Sequence, residues 1–361
     1  MEKAKPLMNK PEKVRIAAEA LRQMVCSMFE KLGTSSQDAA TIANALVWAN
    51  LRGVDSHGIS RIPRYVEMFE SGEAKARPDL RTAYPRPSVI MIDADAAPGP
   101  VAMHRAAREA IAIARNTGLA LAAVRGTVHT GAIGHYVSEV AGDGLIGIGL
   151  VAGVPNMAYA GSNVAGVATS PIAIAVPSER HGTVLLDMAT AVIALGKIAQ
   201  FRQSGTPLAP GMALTGAGEP TTDPALAEIP LPVGGAKGSG LSLMIEFLTS
   251  VLVGNPIVAE FHSDAPRGKR HRQNGTIIAL DIDAFGPAQA FRTTVDTTLD
   301  AIKALPRAAG GPEILYPGER GSRTFEERNR RGIPVAAGPW QKLCKDAQKL
   351  AVVIPEPLPA G

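Results

Sequence analysis

The chain has 361 residues, of which 46% are apolar and 19% charged, and its formal net charge is +4. This composition excludes a disordered tail protein and supports a core large enough for two domains. So small a charge, with only 4% aromatic residues, excludes the basic stripe and stacking platform of a nucleic-acid binder.

In chain order, residues 13–32 (KVRIAAEALRQMVCSMFEKL) carry apolar groups at helical spacing and predict a helix stopped by Gly33. Cys26 lies inside that pattern and Cys344 far from it, a usage that fits inert thiols in a reducing compartment. No apolar run of secretory type precedes the helix, and the expected location is the cytoplasm. Ser35, with Asp38 three residues on, predicts the N-cap of a second helix through 39–51. The first 80 residues therefore read as helical. Val89 opens a short strand and turn, and residues 103–118 predict a helix.

Short apolar runs bounded by Gly, Pro, Asn or Ser then predict strands at 119–124, 145–151, 170–178, 183–189 and 275–282. Helices are expected at 135–142, 189–200 and 239–254. Intermixed strands and helices give an α/β body. The helix 239–254 is short and carries Glu246, so it predicts a core element and no membrane span. Residues 202–240 are rich in Gly and Pro and predict a long ordered excursion that carries binding loops. The Pro-rich tail predicts extended chain.

LRGVDSHGISRIPRY (51–65) gathers Arg52, Asp55, His57, Arg61 and Arg64 where the second helix ends. Arginine grips a carboxylate through two parallel hydrogen bonds, and histidine moves a proton near neutral pH. Asp55 is placed to orient the imidazole. The competing reading is a helix end decorated with basic groups. His129 follows the strand 119–124 in a Gly-flanked turn before a helix, a position suited to a crevice. His135 and Tyr136 begin that helix and are expected to pack.

Asp187 ends an apolar strand before a helix, as an N-cap or as the start of a turn whose Met188 and Ala189 amides meet a ligand. GGAKGSG (234–240) sets Lys237 in a Gly-rich loop that opens a helix, an arrangement suited to a phosphate or carboxamide. RGKRHRQNG (267–275) reads as a solvated basic loop or an anion contact. The nearest dinucleotide fingerprint is Gly147, Gly149 and Gly153, with one residue too many and no helix behind it. The seven histidines show no metal-ligand spacing, so no metal is expected.

These blocks, in this order and with LYPGER at 315–320, resemble the malate/L-lactate dehydrogenase family of the non-Rossmann type along nearly the whole chain. Its relatives include ureidoglycolate, sulfolactate and 2,3-diketogulonate dehydrogenases and piperideine-2-carboxylate reductases. The resemblance implies an α/β fold in which a non-Rossmann sheet domain binds the nicotinamide cofactor and a helical domain is built from both termini. The expected division is residues 1–124 plus 287–361 for the helical, substrate and dimerisation portion, and 125–286 for the cofactor domain.

It further implies a homodimer, NAD or NADP as cofactor, and a small carboxylate as substrate. Arg52 would hold that carboxylate, with His57 and His129 as acid/base candidates. His129 is favoured because it follows a strand of the cofactor domain. Asp187, Met188, Ala189, Lys237, Gly238, Pro317, Gly318 and Glu319 would contact the cofactor. The chain departs from the family pattern at Thr169-Ser170 and at Gly153, two places expected near the pocket. The expected activity is hydride transfer between NAD(P) and C2 of a small 2-hydroxy or 2-oxo acid. Reduction of a cyclic 2-imino carboxylate and a non-catalytic binding role stand as alternatives.

Overall fold

The structure, a computed structural model, describes residues 13–264, 268 and 270–359. In chain order it forms β1 (Lys13–Ile16), α1 (Ala18–Lys31), α2 (Ser36–Leu51), two tight turns (Asp55–His57 and Ile59–Arg61) and α3 (Ile62–Glu70). Next come β2 (Arg81–Arg86), β3 (Val89–Asp93), α4 (Gly99–Thr117), β4 (Leu119–Thr127), α5 (Gly134–Gly142), β5 (Ile146–Gly153), β6 (Met157–Ala158), β7 (Ala165–Val167), β8 (Ile172–Pro177) and β9 (Thr183–Met188). Then follow α6 (Leu195–Ser204), β10 (Ala213–Leu214), β11 (Pro220–Thr221), β12 (Ile229–Pro230) and α7 (Ala236–Glu246), which runs into a π turn (Phe247–Val251). The chain ends with α8 (Val258–Phe261), β13 (Gln273–Leu280), α9 (Ala288–Lys303), α10 (Glu319–Arg331), β14 (Ile333–Ala336) and α11 (Ala337–Lys349).

Two compact units result. One takes residues 1–68 and 321–361 and the other 69–320. Residues 69–124 and 287–320, grouped by sequence with the termini, thus lie with the sheet. The reason is strand pairing: β3 and β4 are central members of that sheet, and the chain cannot leave them outside its core.

In the terminal unit, α1 and α2 bury Leu21, Met28, Phe29, Ile42 and Leu46. Ser35 caps α2 by accepting from the Asp38 amide at 3.1 Å, as its position predicts. Residues 13–16, expected as the first helical turn, are a strand instead, because they pair antiparallel with 333–336 at the other end of the chain. The tail is tied to this pair where the Leu358 amide donates to the Arg15 carbonyl at 2.7 Å.

The larger unit is built on a seven-stranded sheet, ordered β2-β3-β4-β13-β5-β8-β9. Only the β3–β4 pair is parallel, joined through α4, and the other pairs are antiparallel. A sheet so arranged has no Rossmann crevice, in keeping with the missing fingerprint. Gly147 and Gly149 serve packing. A Cβ on Gly147 would lie 2.8 Å from the Val137 carbonyl, so these glycines let α5 settle on β5. The excursion 202–240 is ordered, with β11-β10-β12 as a small antiparallel sheet.

A buried amide holds the sheet to the connection after α7. Asn274 accepts from the Gly126 amide and from Asn255 Nδ2, both at 2.9 Å. It donates to Ser250 Oγ at 3.0 Å and to the Asn255 carbonyl at 2.8 Å. Replacing it strands these buried partners, each worth about 1–3 kcal/mol when unsatisfied. Asn274→Leu is therefore expected to lose about 3 kcal/mol or more, read as a lower urea midpoint.

Candidate active site

In the terminal unit the candidates cluster where α2 ends. Arg52 caps α2, lies 5.3 Å from the Trp48 ring centroid and donates to Ser322 Oγ at 3.3 Å. It is half-buried and so does not trail into solvent. Stacking on Trp48 fixes the plane of the guanidinium, which is the preorganisation that bidentate anion binding needs.

Asp55 does not orient His57. Its carboxylate is gripped by Arg328 at 2.6 and 3.1 Å and by Asn50 Nδ2 at 2.7 Å. Asn50 Oδ1 in turn accepts from the Ile59 amide at 2.8 Å, so Asp55 belongs to a frame that holds the 52–61 turn. His57 Nδ1 instead meets Ser56 Oγ at 2.9 Å. Burial, and next the Arg61 guanidinium, lower the His57 pKa to about 4. Arg61 is anchored by its own bond to the Ser56 carbonyl at 2.7 Å.

In the larger unit the candidates gather around β9 and the start of α5. His129 sits in the 128–133 loop between β4 and α5 and is half-buried. That loop is pinned by Val128 N to the Ala97 carbonyl at 3.2 Å. It is also held by Thr130 N on Gln273 Oε1 at 2.8 Å and by Tyr136 Oη on the Thr130 carbonyl at 2.5 Å.

At the end of the loop, the Gly134 amide donates to Asp187 Oδ2 at 3.0 Å. Asp187 thus places a carboxylate at the positive end of α5 and not on the following helix, which begins only at Leu195. A Cβ on Gly134 would stand 2.6 Å from that oxygen, so only glycine admits the contact. The remainder of the Asp187 side chain is exposed and Met188 is half-buried, while Ala189 packs on the apolar group of Met157, Val167 and Ala191.

Two further segments close on β9. The Leu185 amide donates to the Pro317 carbonyl at 3.1 Å, which brings the 316–319 turn alongside. Past the strand, a Cβ on Gly238 would overlap the Thr190 carbonyl at 2.6 Å and the Val233 carbonyl at 2.5 Å. The start of α7 therefore rests on the turn after β9. That helix has no side-chain cap, and Lys237 in its first turn is exposed.

Glu319, among the expected cofactor contacts, is engaged within its own segment. It is buried, bonds Lys303 Nζ at 2.6 Å and accepts from the Tyr316 amide at 3.2 Å, closing its own turn. Ser170 also turns inward, accepting from Ser242 at 3.0 Å. In the basic loop, Arg267 and Lys269 lie outside the described residues. Arg272 pairs with Glu260 at 2.6 Å and His271 with Glu73 at 3.4 Å, so these charges are already offset. Gln273 and Arg328 were not singled out by sequence reasoning, because their partners lie 143 and 273 residues away. Among the described residues no cluster has the makings of a metal site.

Residues 16–344 match the malate/L-lactate dehydrogenase family. The chain belongs to that family. It is 32% identical over 351 residues to a malate dehydrogenase of Pyrococcus abyssi, covering 94% of this chain and 96% of the relative. The solved sulfolactate dehydrogenase of Methanocaldococcus jannaschii superposes with a TM-score of 0.84 at 32% identity, covering 94% of this chain and 98% of that one. A delta1-piperideine-2-carboxylate reductase from Pseudomonas syringae gives a TM-score of 0.82 at 27% identity, over 92% of this chain and 99% of that one. The resemblance read from the motifs is the family that the comparisons return. Such a dehydrogenase family implies a nicotinamide cofactor.

In α5, His135 is held neutral. Burial lowers its pKa to about 4, against the opposing pull of Glu139, whose Oε1 lies 3.5 Å away. His104 engages the same carboxylate at 3.0 Å. The unfolded chain takes up a proton at His135 near the ordinary value of 6.5 and the folded one does not. The stability that a neutral His135 allows is thus complete above pH 6.5 and declines as pH falls toward 4. Urea midpoints compared at pH 7.5 and pH 5 should drop for the native chain, and drop less for His135→Gln.

Proposed function

We propose that this chain is an NAD(P)-dependent oxidoreductase acting on C2 of a small 2-hydroxy or 2-oxo acid. The observation that carries the reading is the gathering along β9 of the end of His129's loop, the 187–190 turn, the start of α7 and the 317–318 turn. This occurs in a chain that aligns end to end with dehydrogenases.

The residues fit a nicotinamide dinucleotide. The uncapped first turn of α7, with exposed Lys237, offers amides and a positive charge to a phosphate. A Cβ on the adjacent Gly235 would meet nothing within 4 Å, so the turn is open to approach. When bound, the cofactor supplies or accepts the hydride.

The chain's own part is position and protons. Arg52 holds the substrate carboxylate. His129 gives a proton to the C2 oxygen during reduction and takes one back in oxidation. His57, neutral with a pKa of about 4, is a poor proton donor at pH 7 and suits a hydrogen-bonding role toward substrate. NAD and NADP both remain compatible with these groups, and the engaged Arg272 and His271 lend no support to a 2′-phosphate site in the basic loop. Because the solved piperideine-2-carboxylate reductase shares the fold, reduction of a cyclic 2-imino acid is the second reading.

A homodimer is also proposed. Leu241, Met244, Phe247, Leu248, Val251 and Leu252 leave an exposed apolar face along α7 and its π turn, of the kind that marks a protein–protein contact. Leu248→Glu is expected to shift the mass seen by light scattering from dimer toward monomer. No helix among the described residues is long and apolar enough to cross a membrane.

The deciding assay sets oxaloacetate, pyruvate and piperideine-2-carboxylate against NADH and NADPH. His129→Ala should lower kcat about 100-fold or more, and Arg52→Lys should raise KM for carboxylate substrates about 10-fold or more by losing the bidentate grip. Turnover undiminished in both His129→Ala and His57→Ala would refute the acid/base assignment, and failure to bind either dinucleotide would leave the non-catalytic reading.

A further inference from the structure

We propose that Gln273 and Tyr136 are positioning residues for His129, and that Gly153 is kept bare to make room for the Gln273 side chain. The proposal rests on the reading of His129 as the proton-transfer group and adds the device that holds it in place.

Thr130, the residue following His129, is fixed at both of its backbone polar atoms, one in the peptide shared with His129 and one in the next peptide. Thr130 N donates to Gln273 Oε1 at 2.8 Å, and the Thr130 carbonyl accepts from Tyr136 Oη at 2.5 Å. Thr130 and Tyr136 are buried, at 2% and 0% exposure. From a third side, Gly99 of α4 presses so closely that a Cβ there would stand 2.3 Å from the His129 carbonyl oxygen. With Thr130 bonded on one side, Val128 bonded on the other and Gly99 against its own carbonyl, His129 has little freedom except in its side-chain torsions. That is what a proton donor needs, since displacement by about 1 Å is enough to forfeit some 100-fold in rate.

Gln273 is made for this place by the sheet. It is the first residue of β13 and pairs with Thr127 on one side and Gly153 on the other. Between Gln273 and Gly275 the register toward β4 slips, a bulge at the very point where β4 gives way to the His129 loop. Bulges re-aim a side chain and end a ladder. Here the side-chain amide continues the bonding past the last strand residue by taking the Thr130 amide. Space for it comes from β5. A Cβ on Gly153 would lie 3.3 Å from Gln273 Cγ and 3.4 Å from its Nε2, so alanine would crowd the arm and a branched residue would displace it.

The test is a set of variants in full-length protein, using reduction of oxaloacetate or pyruvate by NADH, whichever turns over faster. Gln273→Met and Tyr136→Phe each remove one bond to the Thr130 peptide and are expected to lower kcat about 10-fold or more, with KM changed less than about 3-fold. Gln273→Glu keeps the acceptor and should recover most of the rate. Gly153→Val leaves every hydrogen-bonding group in place and should reproduce the loss of Gln273→Met, and it serves in its stead if that variant does not fold. In a His129→Gln background the penalty of Gln273→Met should vanish, because a residue that acts only through the imidazole has nothing left to position. A penalty that persists there undiminished, or Gln273→Met and Gly153→Val both at native kcat, overturns the proposal while leaving the role of His129 standing. Native kcat in His129→Gln alone overturns both.

Discussion

The contact between Asp187 and the Gly134 amide, 3.0 Å long, is the constraint on which the larger unit's candidate site depends. It joins the end of one strand to the beginning of one helix. Because the His129 loop runs directly into that helix, the same contact ties the end of that loop to the end of β9. The interaction is favourable on two counts: an otherwise orphaned helix amide gains an acceptor, and a carboxylate meets the positive end of a helix. It also has a steric condition. The residue at 134 must be glycine, since any Cβ would occupy the space of the carboxylate oxygen.

The same kind of condition recurs around β9. Gly238 lets the start of α7 lie on the Thr190 and Val233 carbonyls, and Gly147 lets α5 lie on β5. Backbone-to-backbone approaches of this sort position main-chain amides more rigidly than side chains can, because a backbone group has no rotamers to lose. A surface that must hold a large polar ligand gains from being made of such groups. The glycine-rich blocks are thus bound up with packing at first hand and with ligand binding through it.

Much of this was legible in the sequence, for identifiable reasons. The strands at 146–153, 172–177, 183–188 and 273–280 lie within a few residues of the apolar runs that predicted them, since short runs between turn formers have few other ways to be buried. Ser35 and Asp38 announced their cap, a contact between near neighbours. What failed was non-local. Residues 13–16 have helical spacing but pair with a strand some 320 positions on. The helix expected from 189 starts at Leu195, since residues 189–194 are drawn to Thr169 and Leu231 by backbone bonds. Asp55 stands two positions from His57, yet its carboxylate is claimed by Arg328. Adjacency in sequence suggested a partner, and the fold supplied a better one.

The two histidines read as acid/base candidates differ in surroundings more than their residue type implies. Burial, to which the Arg61 guanidinium adds, strips the proton of His57 and keeps this imidazole neutral. If Arg52 holds a carboxylate as proposed, the arriving negative charge offsets Arg61 and raises the proton affinity of His57. Substrate binding and protonation at His57 then favour one another, and by linkage a mildly acidic medium tightens binding. Such a group fits sensing and holding the anion. In the proposed reaction the proton at C2 is assigned to His129, whose loop is held by backbone bonds on both sides.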